Sequence, residues 1–225
     1  MKKTIITLLA LAGVASANYS GTFAWEAGNT PEFTFSNAPD IYLIIDEVKV
    51  DGTVSTTPKA NSVYSNALTP ATNIGTGGSW SVGFSVLNYT EETLTLESIT
   101  LDAFAYNNGG SAQSADFLTR EITFALTGAV DASVVHSFTN VDAEVDEYNW
   151  DSNPTITFSA PLEIAAGDAA AFTLTVSKSD SVGCFIGLSG ATLVTPAPTP
   201  AVPEPTTATL SLLALAGLAA RRRRK

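Results

Sequence analysis

Cysteine and histidine are nearly missing from this chain of 225 residues, which has one of each, Cys184 and His136. One cysteine permits no disulfide within the chain, so the fold must be held by packing. One cysteine and one histidine also exclude a conventional zinc site, and they leave a catalytic triad a single choice of base. Basic residues are scarce as well. Between Asn18 and Val202 there are four, Lys49, Lys59, Arg120 and Lys178, against 21 acids, a net charge of −17. A field of that sign repels phosphate backbones and excludes nucleic acid as a partner. Charged residues make up 15% of the chain, well under the usual quarter, and Ser, Thr, Asn and Gly take their place.

Helical periodicity is also absent from the body, where alternation of period two recurs instead. In "WSVGFSV" Trp80, Val82, Phe84 and Val86 share one face. "REITFALTG" does the same with Ile122, Phe124 and Leu126, "TITF" with Ile156 and Phe158, and "FTLTV" with Phe172, Leu174 and Val176. Clusters such as "NNGG" and "DSNP" bound these runs, as turns bound half-buried strands. In "TLTLESITLDAFAY" the apolar phase slips from Leu94 and Leu96 to Ile99 and Leu101, which predicts a bulge or break near Glu97–Ser98. "IYLIIDEVKV" alternates poorly and predicts a strand covered on both faces. Some nine to eleven strands are expected, enough for two stacked sheets. The expected fold is all-β, a single antiparallel β-sandwich over residues 18–195. A jelly roll is favoured over an immunoglobulin-like path because the domain is long for seven strands.

Little in this body suggests catalysis. His136 in "SVVHSF" is in phase with Val134 and Phe138, which points it at a packed face as a structural, hydrogen-bonded side chain. Cys184 in "VGCFIGL" reads as a small buried hydrophobe. "GLSGA", at 187–191, departs from the nucleophile-elbow pattern at Ala191 and reads as a hairpin turn. Trp80 falls on the core face, while Trp25 is ambiguous. "DAEVDEYNWDSN" spaces Asp142, Glu144 and Asp146 like an EF-hand loop, but Glu147 stands where that loop needs glycine and Asn153 where it needs its last glutamate. No cofactor is therefore expected. A looser calcium site at those three carboxylates is the one metal site left open, against a solvated acidic loop. Tyr148 and Trp150 in the same stretch are candidate glycan contacts, against a role in capping the sandwich.

The two ends carry clearer information. Lys2 and Lys3, the apolar run "TIITLLALAG" and the small residues Ala15 and Ala17 form a secretory signal peptide over residues 1–17, cut before Asn18. At the other end, "TPAPTPAVPEP" holds five prolines, which fix an extended spacer over residues 196–205. Residues 206–225 follow, with an apolar run from Ala208 to Ala220 that ends in Arg221, Arg222, Arg223, Arg224 and Lys225. Thirteen residues make a helix of about 20 Å, short of the roughly 30 Å hydrocarbon core. The run suits transient insertion in the inner membrane better than permanent anchorage, and its basic end stays cytoplasmic.

"VPEPTTATLSLLALAGLAARRRRK" resembles a PEP-CTERM sorting domain of Gram-negative bacteria. The matching parts, in order, are Pro203, Glu204 and Pro205, the apolar run, and the basic end. This resemblance covers about a tenth of the chain. It implies recognition by an exosortase-like membrane enzyme that cleaves near the motif, and export to the cell surface or an extracellular polysaccharide matrix. The expectation is thus an exported, non-enzymatic surface or matrix protein. An extracellular carbohydrate-binding module is the alternative, and a glycan hydrolase stands behind it.

Overall fold

The computed structural model describes residues 18–74, 78–112, 121–138, 151–178 and 183–196. Among them the alternating runs become twelve strands and no helix. These are β1 (Tyr19–Ala24), β2 (Glu32–Phe35), β3 (Ile41–Val50), β4 (Thr53–Val54), β5 (Ser79–Asn88) and β6 (Leu94–Tyr106). They continue with β7 (Glu121–Gly128), β8 (Ala132–Ser137), β9 (Asp151–Ser152), β10 (Thr155–Ile164), β11 (Ala169–Lys178) and β12 (Phe185–Val194). Two antiparallel sheets result, and the described residues fall within one compact unit. The first sheet runs β10-β6-β12-β1-β2, with β9 paired to β6, and the second runs β4-β3-β5-β11-β7-β8.

Each sheet turns its apolar face inward. Trp80, Val82 and Phe84 on β5 sit opposite Val176, Leu174 and Phe172 on β11, and the Phe84 and Phe172 rings stack with centroids 5.2 Å apart. Ile99 and Leu101 on β6, Leu193 on β12 and Ile156 on β10 meet them from the first sheet in one continuous core. Burying such side chains is worth about 1.5–3 kcal/mol each, so packing holds a body that has no disulfide of its own. Beyond the main core, Phe104, Tyr106 and Phe185 form a smaller cluster with Ala67, Val63 and Tyr64. The segment after β4 therefore covers one end of the first sheet, with Leu68 bridging to Leu188. Burial pushes the Tyr106 phenol well above its usual value, and its hydroxyl donates to the Pro70 carbonyl at 3.2 Å.

The phase slip in β6 falls where the sequence puts it: Leu94 and Leu96 are buried, then Ile99 and Leu101, with Ser98 buried between them. The pairing accommodates the slip on the partner strand, because β10 jumps from Thr157 to Leu162 between positions opposite Ser98 and Leu96. Two other expectations are corrected. β3 is not covered on both faces. Ile41, Leu43 and Ile45 point inward while Tyr42 and Ile44 stay about half exposed, and a bulge at Asp46 resets the phase for Val48. That bulge is what blurs the alternation in the sequence. "GLSGA" is not a turn but lies inside β12, with a register shift at Ser189, whose hydroxyl donates to the Asp102 carbonyl.

Candidate functional site

β2 is the last strand of the first sheet, and β3 of the second sheet lies against it. β4 pairs with β3 only at Lys49 and Val50, so the flank of β3 from Ile41 to Ile45 has no hydrogen-bonded strand on that side among the described residues. Between β2 and this flank runs an open groove of about 630 Å³. Asn29, Thr30, Glu32 and Thr34 line it from one side, Tyr42 and Ile44 from the other.

Local chemistry fixes both walls. Asp51 and Gly52 both have positive φ, at 46° and 79°, which sets the two-residue hairpin turn between β3 and β4. On the opposite wall, buried Trp25 donates its indole N–H to the Asn29 carbonyl at 2.9 Å and holds the rim in place. Phe33 packs edge-on between Phe23 and Phe35, which fixes β2 against β1. Tyr42 meets Tyr89 edge to face, with ring centroids 5.6 Å apart. The Tyr89 amide donates to the Asp40 carbonyl at 2.9 Å, so the residue after β5 is tied to the start of β3. Of the described residues that line the groove, Glu32 alone is charged.

His136 sits at the far side of the sandwich. It is half-buried on β8, in phase with Val134 and Phe138, and its Nε2 hydrogen-bonds the Ser152 hydroxyl on β9. Its ring also meets Phe138 edge to face, with centroids 5.9 Å apart. Burial lowers its pKa below the ordinary histidine value. Cys184 is buried just before β12 and directs its thiol at the Ile74 carbonyl, 3.8 Å away. Trp80 is buried as expected, and Trp25, ambiguous in sequence, is buried as well.

Of the residues singled out in the sequence, only Asn18 among the signal-cleavage positions is described. It precedes β1, and its carbonyl accepts from the Asn37 side-chain amide at 2.7 Å. Ala15 and Ala17, the carboxylates Asp142, Glu144 and Asp146, and the aromatics Tyr148 and Trp150 lie outside the described residues. So do Pro203, Glu204 and Pro205, and Arg221, Arg222, Arg223, Arg224 and Lys225. Among the described residues no group of three or more His, Cys, Asp or Glu is placed to hold a metal ion. The groove went unread in the sequence because β2 is short and the exposed phase of β3 carries Tyr42 and Ile44, which resemble core residues.

The chain is an all-β protein built as two antiparallel sheets. Residues 201–225 match the PEP-CTERM protein-sorting motif, a signal associated with exosortase processing, and a chain that bears it is exported and sorted. No curated protein matches the chain. Among solved structures it is similar to TmCBM61 in complex with beta-1,4-galactotriose, at TM-score 0.34 and 14% identity over 69% of this chain and 89% of that one. It is also similar to the mosquito-larvicidal Cry4Aa toxin from Bacillus thuringiensis, at TM-score 0.34 and 11% identity over 82% of this chain and 43% of the toxin chain.

Proposed function

We propose that this is a non-catalytic β-sandwich protein, delivered by its C-terminal signal to the cell surface or extracellular matrix of a Gram-negative bacterium. The sorting motif at residues 201–225 carries this reading. The signal peptide is removed before Asn18. The apolar run 208–220 pauses in the inner membrane, and an exosortase-like enzyme cuts near Pro203, Glu204 and Pro205. The positions of the strands support this order of events: β1 starts at Tyr19 and β12 ends at Val194, so both cuts fall outside the sheets. A proline-rich stretch cannot hide its peptide bonds in a ladder, which leaves them open to a protease. Calcium, if bound, belongs to Asp142, Glu144 and Asp146.

The test is the intact mass of the protein recovered from cells that carry the processing enzyme. The expected mass corresponds to a chain that starts at Asn18 and ends within residues 196–205. A chain still carrying Arg221–Lys225 overturns the reading in favour of a permanent anchor.

A second reading, an extracellular carbohydrate-binding module, is favoured by one observation: exposed Tyr42, in edge-to-face contact with exposed Tyr89, lines an open groove. Such a module is retarded by at least one polysaccharide in native affinity electrophoresis.

A further inference from the structure

The geometry points to the groove between β2 and β3 as a binding site for a neutral glycan chain, with Tyr42 as its stacking platform. This rests on the carbohydrate-binding reading and names its site and ligand class.

Three observations converge on the groove. The first is where the exposed apolar surface lies. Of five large hydrophobic side chains left exposed among the described residues, Tyr42, Ile44 and Tyr89 are three, and all three stand on or beside this groove. Soluble proteins leave such clusters uncovered mainly where something binds. Tyrosine is suited to that task because its ring gives rigid apolar area while its hydroxyl stays wet. A sugar ring has the same division, with an apolar C–H face and a rim of hydroxyls.

The second is the polar lining. Asn29, Thr30 and Thr34 offer amide and hydroxyl groups, and the open flank of β3 offers backbone N–H and C=O groups that no strand pairs among the described residues. Hydroxyl groups both donate and accept, so a glycan can satisfy such a mixed edge. A volume of about 630 Å³ falls within the range of ordinary ligand sites.

The third is charge, which separates the rival occupants. Glu32 is the only charged group among the described lining residues, so an anionic polysaccharide meets repulsion and no cation. A second copy of the chain brings another body of net charge −17. An added peptide strand meets Pro31, buried just before β2, and β3 shifts its register with β5 at Asp46, immediately past the open flank. Both are devices that block edge-to-edge pairing.

The test uses the exported protein as recovered from cells, run in native gels that contain a β-1,4-glucan, a β-1,3-glucan, a β-galactan, a mannan or, as the anionic probe, alginate. Retardation by at least one neutral polymer is expected. Tyr42→Ala weakens that retardation about tenfold, and Tyr89→Ala weakens it less. Val135→Ala, at an exposed apolar position on β8, leaves it unchanged. Melting temperatures of the variants separate lost binding from lost folding, and Tyr42→Phe, which keeps the ring, retains most of the binding. Retardation that survives Tyr42→Ala but not Trp150→Ala overturns the groove while the carbohydrate-binding reading stands. Retardation by alginate alone overturns the ligand class. No retardation by any polymer overturns both the site and the carbohydrate-binding reading.

Discussion

His136 on β8 hydrogen-bonds Ser152 on β9, and so joins the outermost strand of the second sheet to a strand of the first. Burial lowers the pKa of this imidazole, so the folded state prefers it neutral. At high pH the group is neutral in both folded and unfolded chains and costs nothing. Below the unfolded value of about 6.5, the unfolded chain takes a proton that the folded chain resists, and stability falls with pH. The melting temperature is therefore expected to be level above about pH 7 and to decline as the pH falls below about 6.5, before most carboxylates titrate. His136 is the only histidine, so His136→Gln should abolish that decline. Melts of the two proteins across this range, with the same decline in both, would refute the assignment.

Asn88 is fully buried at the end of β5, and its side-chain amide donates to the carbonyls of Glu92 at 2.8 Å and Ile164 at 2.9 Å. Its carbonyl oxygen accepts from the Thr90 amide at 3.1 Å and the Thr90 hydroxyl at 2.6 Å. One side chain thus ties the turn after β5 to the end of β10. Asn88→Ala removes the partner of the buried Ile164 carbonyl and of the part-buried groups around it, and should cost about 3 kcal/mol, read as a lower urea midpoint. Asn88→Asp should cost at least as much, because a carboxylate would face carbonyls it cannot donate to.

Gly128 ends β7 with φ at 113°, a conformation closed to most side chains. A Cβ there would lie 2.6 Å from the Ala171 carbonyl oxygen on β11. Gly128→Ala combines strain with a backbone clash, and a loss of about 2–3 kcal/mol in urea unfolding is expected. At Gly28 φ is 85° and nothing lies within 4 Å of the same added atom, so Gly28→Ala should cost less and serves as the control for strain without a clash.

Replacing Pro203, Glu204 and Pro205 with alanine should leave the melting temperature of the body unchanged, since the described strands end at Val194. Under the proposed sorting route it should also leave the chain membrane-associated, with Arg221–Lys225 attached. Membrane fractionation followed by mass measurement checks both outcomes.

The fold class was legible because the inward phase of a half-buried strand writes itself as alternation. Trp80, Val82 and Phe84 are buried as their spacing requires, and Ile122, Phe124 and Leu126 follow the same rule. Strand order was not legible, because alternation records which face a residue takes and not which strand lies beside it. β3 shows the limit most clearly. Its bulge at Asp46 shifts the phase, and its outward residues Tyr42 and Ile44 are as apolar as its inward ones, so an open flank looked like a covered strand. The groove depends on that flank and on β2, a four-residue strand whose place at the end of the first sheet is set by pairing with β1 far more than by composition. "GLSGA" misled for a related reason: Gly187 lies against the Phe104 ring and Gly190 against the Gly21 carbonyl, so these glycines serve close packing within a sheet where a turn was expected.

β1 pairs with β12 from Tyr19↔Leu193 to Thr22↔Gly190, so the strand that opens the body waits for the strand that closes it. A polypeptide threaded through a membrane from its amino end cannot finish the first sheet until nearly the whole body has emerged. Assembly of that sheet is consequently a late event, completed only when the strand nearest the carboxyl end of the body has emerged.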